Sequence, residues 1–179
     1  MMSICKYSPR DYQIEGVYDA LRHNRKLLIS PTASGKSLMI YSIVRYYVEK
    51  QQSILIVVPT TSLVEQMYKD FADYGWDVGS YCHKIYAGKE RETNSQVIIT
   101  TWQSIYKLPR KYFERFSVVV GDEAHQFKSK SLVSIMSKLA DAKYRYGFTG
   151  TLSGSQTHKW VLEGLFGPSY KIIKTDELM

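Results

Sequence analysis

Cysteine is scarce in this chain: Cys5 and Cys82 are the only two among 179 residues. They lie far apart and neither belongs to a C-x-x-C pair, so the sequence predicts neither a zinc site nor a disulfide framework. Long apolar runs are also missing, because the longest, Ile54–Val58, is far shorter than the about 20 residues of a membrane-spanning helix. Residues 1–7 lack the apolar core of a signal peptide. These absences predict a cytoplasmic protein with no membrane partner.

The composition is that of an ordinary folded domain, with 44% hydrophobic and 23% charged residues and no low-complexity tract or internal repeat. The length suits one well-packed core rather than two large ones. Lysine and arginine together number 24 against 17 acidic residues, which gives a formal net charge of +7. This excess favours a polyanionic partner such as nucleic acid, but a basic surface also serves solubility alone. Charge by itself leaves both interpretations open.

Apolar runs alternate along the chain with segments of helical periodicity. Runs such as Ile54–Val58 are continuous rather than alternating, which is typical of strands buried on both faces. Helical spacing follows Ser37 and again follows Ser62, where Ser62 and Glu65 predict a capping box. Right-handed crossovers between such units give a parallel sheet. The sequence therefore predicts one α/β domain over residues 1–179, with a mostly parallel sheet and helices on both faces.

The segment Ser30–Ser37, SPTASGKS, lies between a short apolar run and a helical segment. It fits the phosphate-binding pattern G-x-x-x-x-G-K-[ST], except that Ser30 replaces the first glycine. Gly35 lets the backbone approach phosphates without a Cβ, and the following helix contributes the positive end of its dipole. In this pattern Lys36 reaches the β- and γ-phosphates and Ser37 holds Mg²⁺. An ordinary turn before a helix is the alternative.

Two adjacent acids, Asp122 and Glu123, follow the apolar residues Val118–Val120. In an open parallel sheet, ligand chemistry gathers at the carboxyl ends of the strands. Asp122 is suited to hold Mg²⁺, and Glu123 to orient and deprotonate an attacking water. A pair of solvated loop acids is the alternative, and the phosphate loop upstream in the same predicted sheet argues against it.

Six motifs, in order and over nearly the whole chain, resemble those of superfamily 2 helicases and translocases. They are Arg10 with Tyr12 and Gln13 (Q motif), Ser30–Ser37 (motif I), Val58–Gln66 (motif Ia), Thr100–Gln103 (a further strand-binding motif), Asp122–His125 (motif II) and Thr149–Thr151 (motif III). The phrases PTASGKS, VPTTSLVEQM and TTWQSIYK are most similar to the UvsW-like bacteriophage recombination helicases. Motif III departs from the pattern, since Thr-Gly-Thr stands where DEAD-box relatives have Ser-Ala-Thr. The resemblance implies a RecA-like P-loop NTPase domain.

The same resemblance implies that the chain uses ATP and Mg²⁺. The implied nucleotide-binding residues are Arg10, Gln13, Thr32, Ala33, Ser34, Gly35, Lys36 and Ser37, with Arg10 and Gln13 reading adenine. The implied metal ligands are Ser37 and Asp122, and the implied catalytic residues are Lys36, Asp122 and Glu123. In such proteins His125, Thr149 and Thr151 couple the γ-phosphate to domain movement.

Nucleic acid is expected to cross the other side of the site. Thr60, Thr61, Thr101 and Gln103 are the implied donors to backbone phosphates. The basic residues of the segment 107–115 are expected to add to this surface. Trp102 suits base stacking, but a core aromatic under a short helix is the favoured interpretation.

The resemblance implies the ATP-binding first motor domain of an ATP-dependent DNA helicase or translocase that acts on branched or recombining DNA. The expected partners are single-stranded or branched DNA and a second RecA-like domain, which in this family carries motifs IV to VI and the arginine finger. No segment of the 179 residues matches those motifs, so the chain is expected to be part of a longer motor, with a natural half-motor as the alternative, and to be nearly inactive alone. A phage origin would place it in the host cytoplasm. The alternative is a stand-alone, nucleotide-dependent module that binds nucleic acid or protein without motor activity.

Overall fold

The computed structural model describes residues 11–30, 35–87, 93–150 and 158–172. The strands within these ranges are β1 (Arg25–Ile29), β2 (Ile54–Val58), β3 (Cys82–Ile85), β4 (Val97–Thr101), β5 (Val118–Gly121), β6 (Tyr144–Thr149) and β7 (Ser169–Lys171). The helices are α1 (Asp11–Arg22), α2 (Lys36–Glu49), α3 (Thr61–Asp73), α4 (Val78–Tyr81), α5 (Trp102–Ile105), α6 (Arg110–Phe113), α7 (Ser129–Lys138) and α8 (Lys159–Phe166). A 3-10 helix, Ala124–Gln126, follows β5. None of the helices in these ranges has the length and apolar character needed to cross a membrane.

The strands form one seven-stranded sheet in the order β3-β4-β2-β5-β6-β1-β7. Every neighbouring pair is parallel. The carboxyl ends of all seven strands therefore lie on the same side of the sheet, called here the carboxyl edge. The opposite side, where the strands begin, is called the amino edge. This arrangement confirms the predicted α/β class with a parallel sheet.

Alternate side chains of each central strand belong to two separate apolar layers. Along β2, Ile54, Ile56 and Val58 pack in the layer that contains α1, α2 and α3. Leu55 and Val57 pack in the layer that contains α5 to α8. All five side chains are buried, which confirms that this continuous apolar run forms a strand covered on both faces.

The start of α3 differs from the prediction. Thr60 precedes the helix with an extended backbone, and its hydroxyl accepts a hydrogen bond from the N–H of Leu63 at 3.2 Å. The carboxylate of Glu65 points instead towards β3, where it pairs with Lys84 at 3.0 Å. The predicted Ser62–Glu65 capping box is therefore wrong, because the chain turns into the helix two residues earlier.

Candidate nucleotide site and adjoining groove

The phosphate loop and the two acids both lie at the carboxyl edge. The loop follows β1, the acids follow β5, and β6 lies between these two strands. The N–H of Ser30 donates a hydrogen bond to the carbonyl oxygen of Thr149 at 2.8 Å, which ties the end of β1 to the end of β6. The sheet order thus brings together motifs that are almost ninety residues apart in the sequence, since Lys36 begins α2 and Asp122 follows β5.

Lys36 lies between the two acids. Its Nζ is 2.9 Å from Oδ1 of Asp122, and it also contacts the carboxylate of Glu123. Lys36 is 9% exposed and Asp122 is 3% exposed, so this is a buried charge cluster. Burial raises the pKa of the Asp122 carboxyl, and the Lys36 ammonium opposes that rise. Removing either partner of such a pair leaves a buried charge uncompensated.

Gly35 has the backbone that the phosphate-loop interpretation requires. Its φ is +80°, in the left-handed region that favours glycine. A Cβ at this position would lie 1.6 Å from Nε2 of Gln13, so the Gln13 side chain of α1 packs directly on the end of the loop. Gln13 is 4% exposed. The structure therefore brings this predicted adenine-reading residue to the loop.

The turn after β5 connects the acids to β6 through a histidine. Glu123 has a left-handed φ of +53°, and its N–H donates to Oδ1 of Asp122 at 2.9 Å. Nε2 of His125 is 3.4 Å from Oε2 of Glu123, and Nδ1 of His125 is 2.5 Å from the hydroxyl of Thr149. Burial first, and then the nearby Lys36 ammonium, lower the pKa of His125. The imidazole of His125 therefore bridges the acid and the end of β6.

Two further residues contact the site. The phenol oxygen of Tyr74, just after α3, is 2.6 Å from Oγ of Ser37. Nε2 of Gln126 donates to Oε2 of Glu123 at 3.3 Å. Sequence reasoning assigned neither residue to the site. No local pattern identifies Tyr74, whereas Gln126 could have been found from its position in the turn after Glu123.

The predicted site residues fall into those that the structure describes and those that it does not. Arg10, Thr32, Ala33, Ser34 and Thr151 lie outside the described residues. The predicted residues that the structure brings together are Gln13, Gly35, Lys36, Ser37, Asp122, Glu123, His125 and Thr149.

The four predicted nucleic-acid contacts line one groove at the carboxyl edge, beyond β5. Thr60, Thr61, Thr101 and Gln103 share this groove of about 530 Å³ with Pro59, Ala87 and Ser104. Nε2 of Gln103 donates to the carbonyl oxygen of Pro59 at 3.2 Å, and the hydroxyls of Thr101 and Ser104 are 2.8 Å apart. Thr60 accepts a hydrogen bond as the helix cap, which leaves its own hydroxyl hydrogen able to donate. We call this the threonine groove.

Arg115, the last basic residue of the segment 107–115, does not share a surface with the threonine groove. The guanidinium of Arg115 donates to the carbonyl oxygens of Thr93 and Ser95 at 2.9 and 3.3 Å. Both carbonyls precede β4, so Arg115 lies at the amino edge. The expectation that the segment adds to the nucleic-acid surface of the threonine groove is therefore wrong for Arg115, because the chain runs back across the sheet between α5 and β5.

Comparison with known proteins identifies the family. A family model described as "Type III restriction enzyme, res subunit" matches residues 6–154, which include both the loop and the acids. The chain belongs to this family. It is a superfamily 2 helicase domain with the RecA-like fold, as the motif order predicts.

The relatives of this helicase domain are longer proteins. It is 34% identical over 179 residues to the ATP-dependent DNA helicase uvsW of Enterobacteria phage T4, covering 97% of this chain and 36% of that protein. It is 31% identical over 147 residues to the DNA 3'-5' translocase XPB2 of Sulfurisphaera tokodaii, covering 82% of this chain and 31% of that one. The crystal structure of T4 UvsW matches with a TM-score of 0.87 and 33% identity, over 94% of this chain and 35% of that chain. The helicase domain therefore spans about a third of the length of these curated relatives.

Proposed function

We propose that this chain is the first motor domain of an ATP-dependent DNA helicase or translocase. The observation that carries the proposal is the buried cluster at the carboxyl edge, in which Lys36 contacts both Asp122 and Glu123 beside a left-handed Gly35. A lysine that follows such a glycine can exchange carboxylate partners for phosphate oxygens, since both are anionic acceptors. The relatives named as a DNA helicase and a DNA translocase support the same activity for the complete protein.

The residues of the site divide the chemistry between them. Lys36 binds the phosphates and gives up its contact with Glu123. The carboxylate of Glu123 is then able to accept a proton from an attacking water. His125 and Gln126 contact the other carboxylate oxygen of Glu123 and hold it in orientation. Ser37 and Asp122 are oxygen donors of the kind that Mg²⁺ takes together with phosphates, so these residues fit the ion, which when bound neutralises phosphate charge.

The threonine groove supports contact with a nucleic-acid backbone. Its donors are hydroxyl and amide groups, which suit phosphate oxygens and carry no base sequence information. The chain as a whole has a net charge of +7, which favours a polyanionic partner. Branched or recombining DNA is the substrate that the resemblance to recombination helicases implies, and we propose it for the complete protein. A second RecA-like domain would complete the site with an arginine finger.

Titration calorimetry with Mg-ATP tests the nucleotide assignment. We expect the wild-type chain to bind and Lys36→Ala to bind at least tenfold more weakly, because a charge-assisted contact with the phosphates is worth roughly 1.5–3 kcal/mol. Lys50→Ala serves as the matched control, since Lys50 is exposed at the far end of α2. Equal affinity of Lys36→Ala and Lys50→Ala would contradict the phosphate-loop assignment.

A further inference from the structure

The short helix α5 separates two grooves. One is the threonine groove, which Gln103 lines. The other, of about 490 Å³, lies between α5 and the start of α7. Its lining residues are Trp102, Tyr106, Lys128, Ser129, Lys130 and Ser131. We call it the α5–α7 groove.

The two lysines of the α5–α7 groove are exposed, and their local surroundings do not stabilise their positive charge. Among the described residues, no carboxylate lies within 4.0 Å of the ammonium of Lys128 or Lys130. Both lie at the start of α7, where the helix dipole disfavours positive charge, and the first turn of that helix contains no acidic residue. An anionic partner would offset this repulsion, so the charge of the groove is complementary to a phosphate backbone.

Trp102 adds an aromatic surface to the same groove. The residue is half-buried, and its ring packs against Tyr106 with centroids 5.6 Å apart and an interplanar angle of 63°. It also packs against the apolar layer of α5 to α8, as the core interpretation predicts. The remaining surface of the indole lines the groove beside the lysines, where a rigidly held ring can stack with an unpaired base.

The two grooves adjoin along the backbone of α5. Trp102 and Gln103 are consecutive residues that line the two different grooves. A nucleic-acid strand whose phosphates contact Gln103 and Thr61 therefore has to cross only the four-residue helix α5 to reach Trp102 and Lys130.

We propose that the α5–α7 groove is a second contact site for single-stranded nucleic acid. Trp102 stacks with one unpaired base, and Lys128 and Lys130 bind the flanking phosphates. This inference rests on the proposed function, because it extends the strand from the threonine groove across α5. Single-stranded rather than double-stranded nucleic acid is the occupant, since a base within a duplex has no free face to offer the indole.

Fluorescence anisotropy with a labelled oligothymidylate, measured over a salt series, tests the lysines. For single strands, each lost phosphate contact reduces the magnitude of the negative slope of log K against log salt by about 0.7, so Lys128→Ala/Lys130→Ala should reduce that magnitude by about 1.4. The matched control is Lys50→Ala/Lys143→Ala, which removes the same charge from two exposed lysines at the amino edge. We expect the control to retain the wild-type slope.

The stacking contact is tested by two substitutions at Trp102. Trp102→Phe keeps an aromatic face, whereas Trp102→Leu keeps apolar bulk without one. We expect Trp102→Leu to bind the oligothymidylate roughly five- to 150-fold more weakly and Trp102→Phe to retain most of the affinity. A blunt duplex of the same length should bind both variants equally. Urea unfolding of each variant shows whether the fold is kept, and the lysine pair remains a test if Trp102→Leu does not fold.

The outcomes separate this inference from the proposed function. Failure of the wild-type chain to bind any oligonucleotide would overturn both. In a second outcome, Gln103→Ala weakens binding, but Lys128→Ala/Lys130→Ala has no more effect than the control pair. This result would overturn the proposed contact site in the α5–α7 groove and leave the proposed function standing. Equal affinities for Trp102→Leu and Trp102→Phe would refute base stacking there.

Discussion

Gly35 has a left-handed backbone, and the side chain of Gln13 packs directly against it. An alanine at position 35 therefore probes the geometry of the loop. A φ of +80° costs an L-residue about 1–2 kcal/mol, and the added Cβ would lie 1.6 Å from Nε2 of Gln13. The Gln13 amide would have to leave its buried position, at a further cost of roughly 1–3 kcal/mol. We expect Gly35→Ala to lower the free energy of unfolding by about 2–5 kcal/mol, measured by urea denaturation followed by circular dichroism.

A double-mutant cycle with Gln13→Ala isolates the contact. Gln13→Ala alone should cost roughly 1–3 kcal/mol, because a buried amide is lost. In that background Gly35→Ala should cost only the backbone component of about 1–2 kcal/mol, since the group with which the Cβ collides is gone. The two substitutions should therefore be less than additive by about 1–3 kcal/mol.

Gly75 provides the matched control. Its φ is +98°, but a Cβ there would meet no atom within 4 Å. Gly75→Ala should cost about 1–2 kcal/mol and add to Gln13→Ala within roughly 0.5 kcal/mol. Full additivity of Gly35→Ala with Gln13→Ala would refute the packing of Gln13 on the loop.

Four other expectations concern α8, the buried cysteine, the proposed catalytic acid and the turnover of this chain alone. Gly164 is exposed within α8, and a Cβ there would meet no atom within 4 Å. Gly164→Ala should therefore raise the free energy of unfolding, measured by urea denaturation, by about 0.5–1 kcal/mol. A decrease would contradict this expectation. Burial raises the pKa of the Cys82 thiol to about 12. In the Cys5→Ser chain, Ellman's reagent at pH 8 should therefore label Cys82 no faster than the protein opens. Rapid labelling of the native chain would contradict the burial of Cys82. Glu123→Gln in a protein with both RecA-like domains should abolish phosphate release while preserving ATP binding. The 179-residue chain itself should release phosphate barely above background, because an arginine finger is worth on the order of a thousandfold; DNA-stimulated turnover by this chain alone would contradict the need for a second domain.

Local signals were sufficient to predict β2 and to single out the three charged residues of the candidate nucleotide site. Ile54–Val58 is a continuous apolar run that a proline ends, and the strand has the predicted bounds. Lys36, Asp122 and Glu123 were predicted because each directly follows a predicted strand or loop in a recognisable order. Their contact in space follows from the sheet order, in which one strand separates β1 from β5.

Contacts that depend on the path of the chain could not be predicted. Ser37 and Tyr74 are 37 residues apart, and only the packing of α2 against the end of α3 brings them together. Arg115 follows α5 closely in sequence yet lies at the opposite edge of the sheet. The capping prediction failed for a local reason, since Ser62 and Glu65 match the usual pattern while the extended backbone of Thr60 already starts the helix.

Among the described residues, the sheet divides the interior into two layers with different side chains, because alternate residues of each strand belong to one layer or the other. The helices that contribute Gln13 and Lys36 belong to the first layer, and α5 and α7 belong to the second. Substitutions more than about 7–10 Å apart with no shared partner usually have independent effects on stability. Substitutions on the surface beside α5 and α7 should therefore change the stability of the protein independently of substitutions in the helices that contribute Gln13 and Lys36.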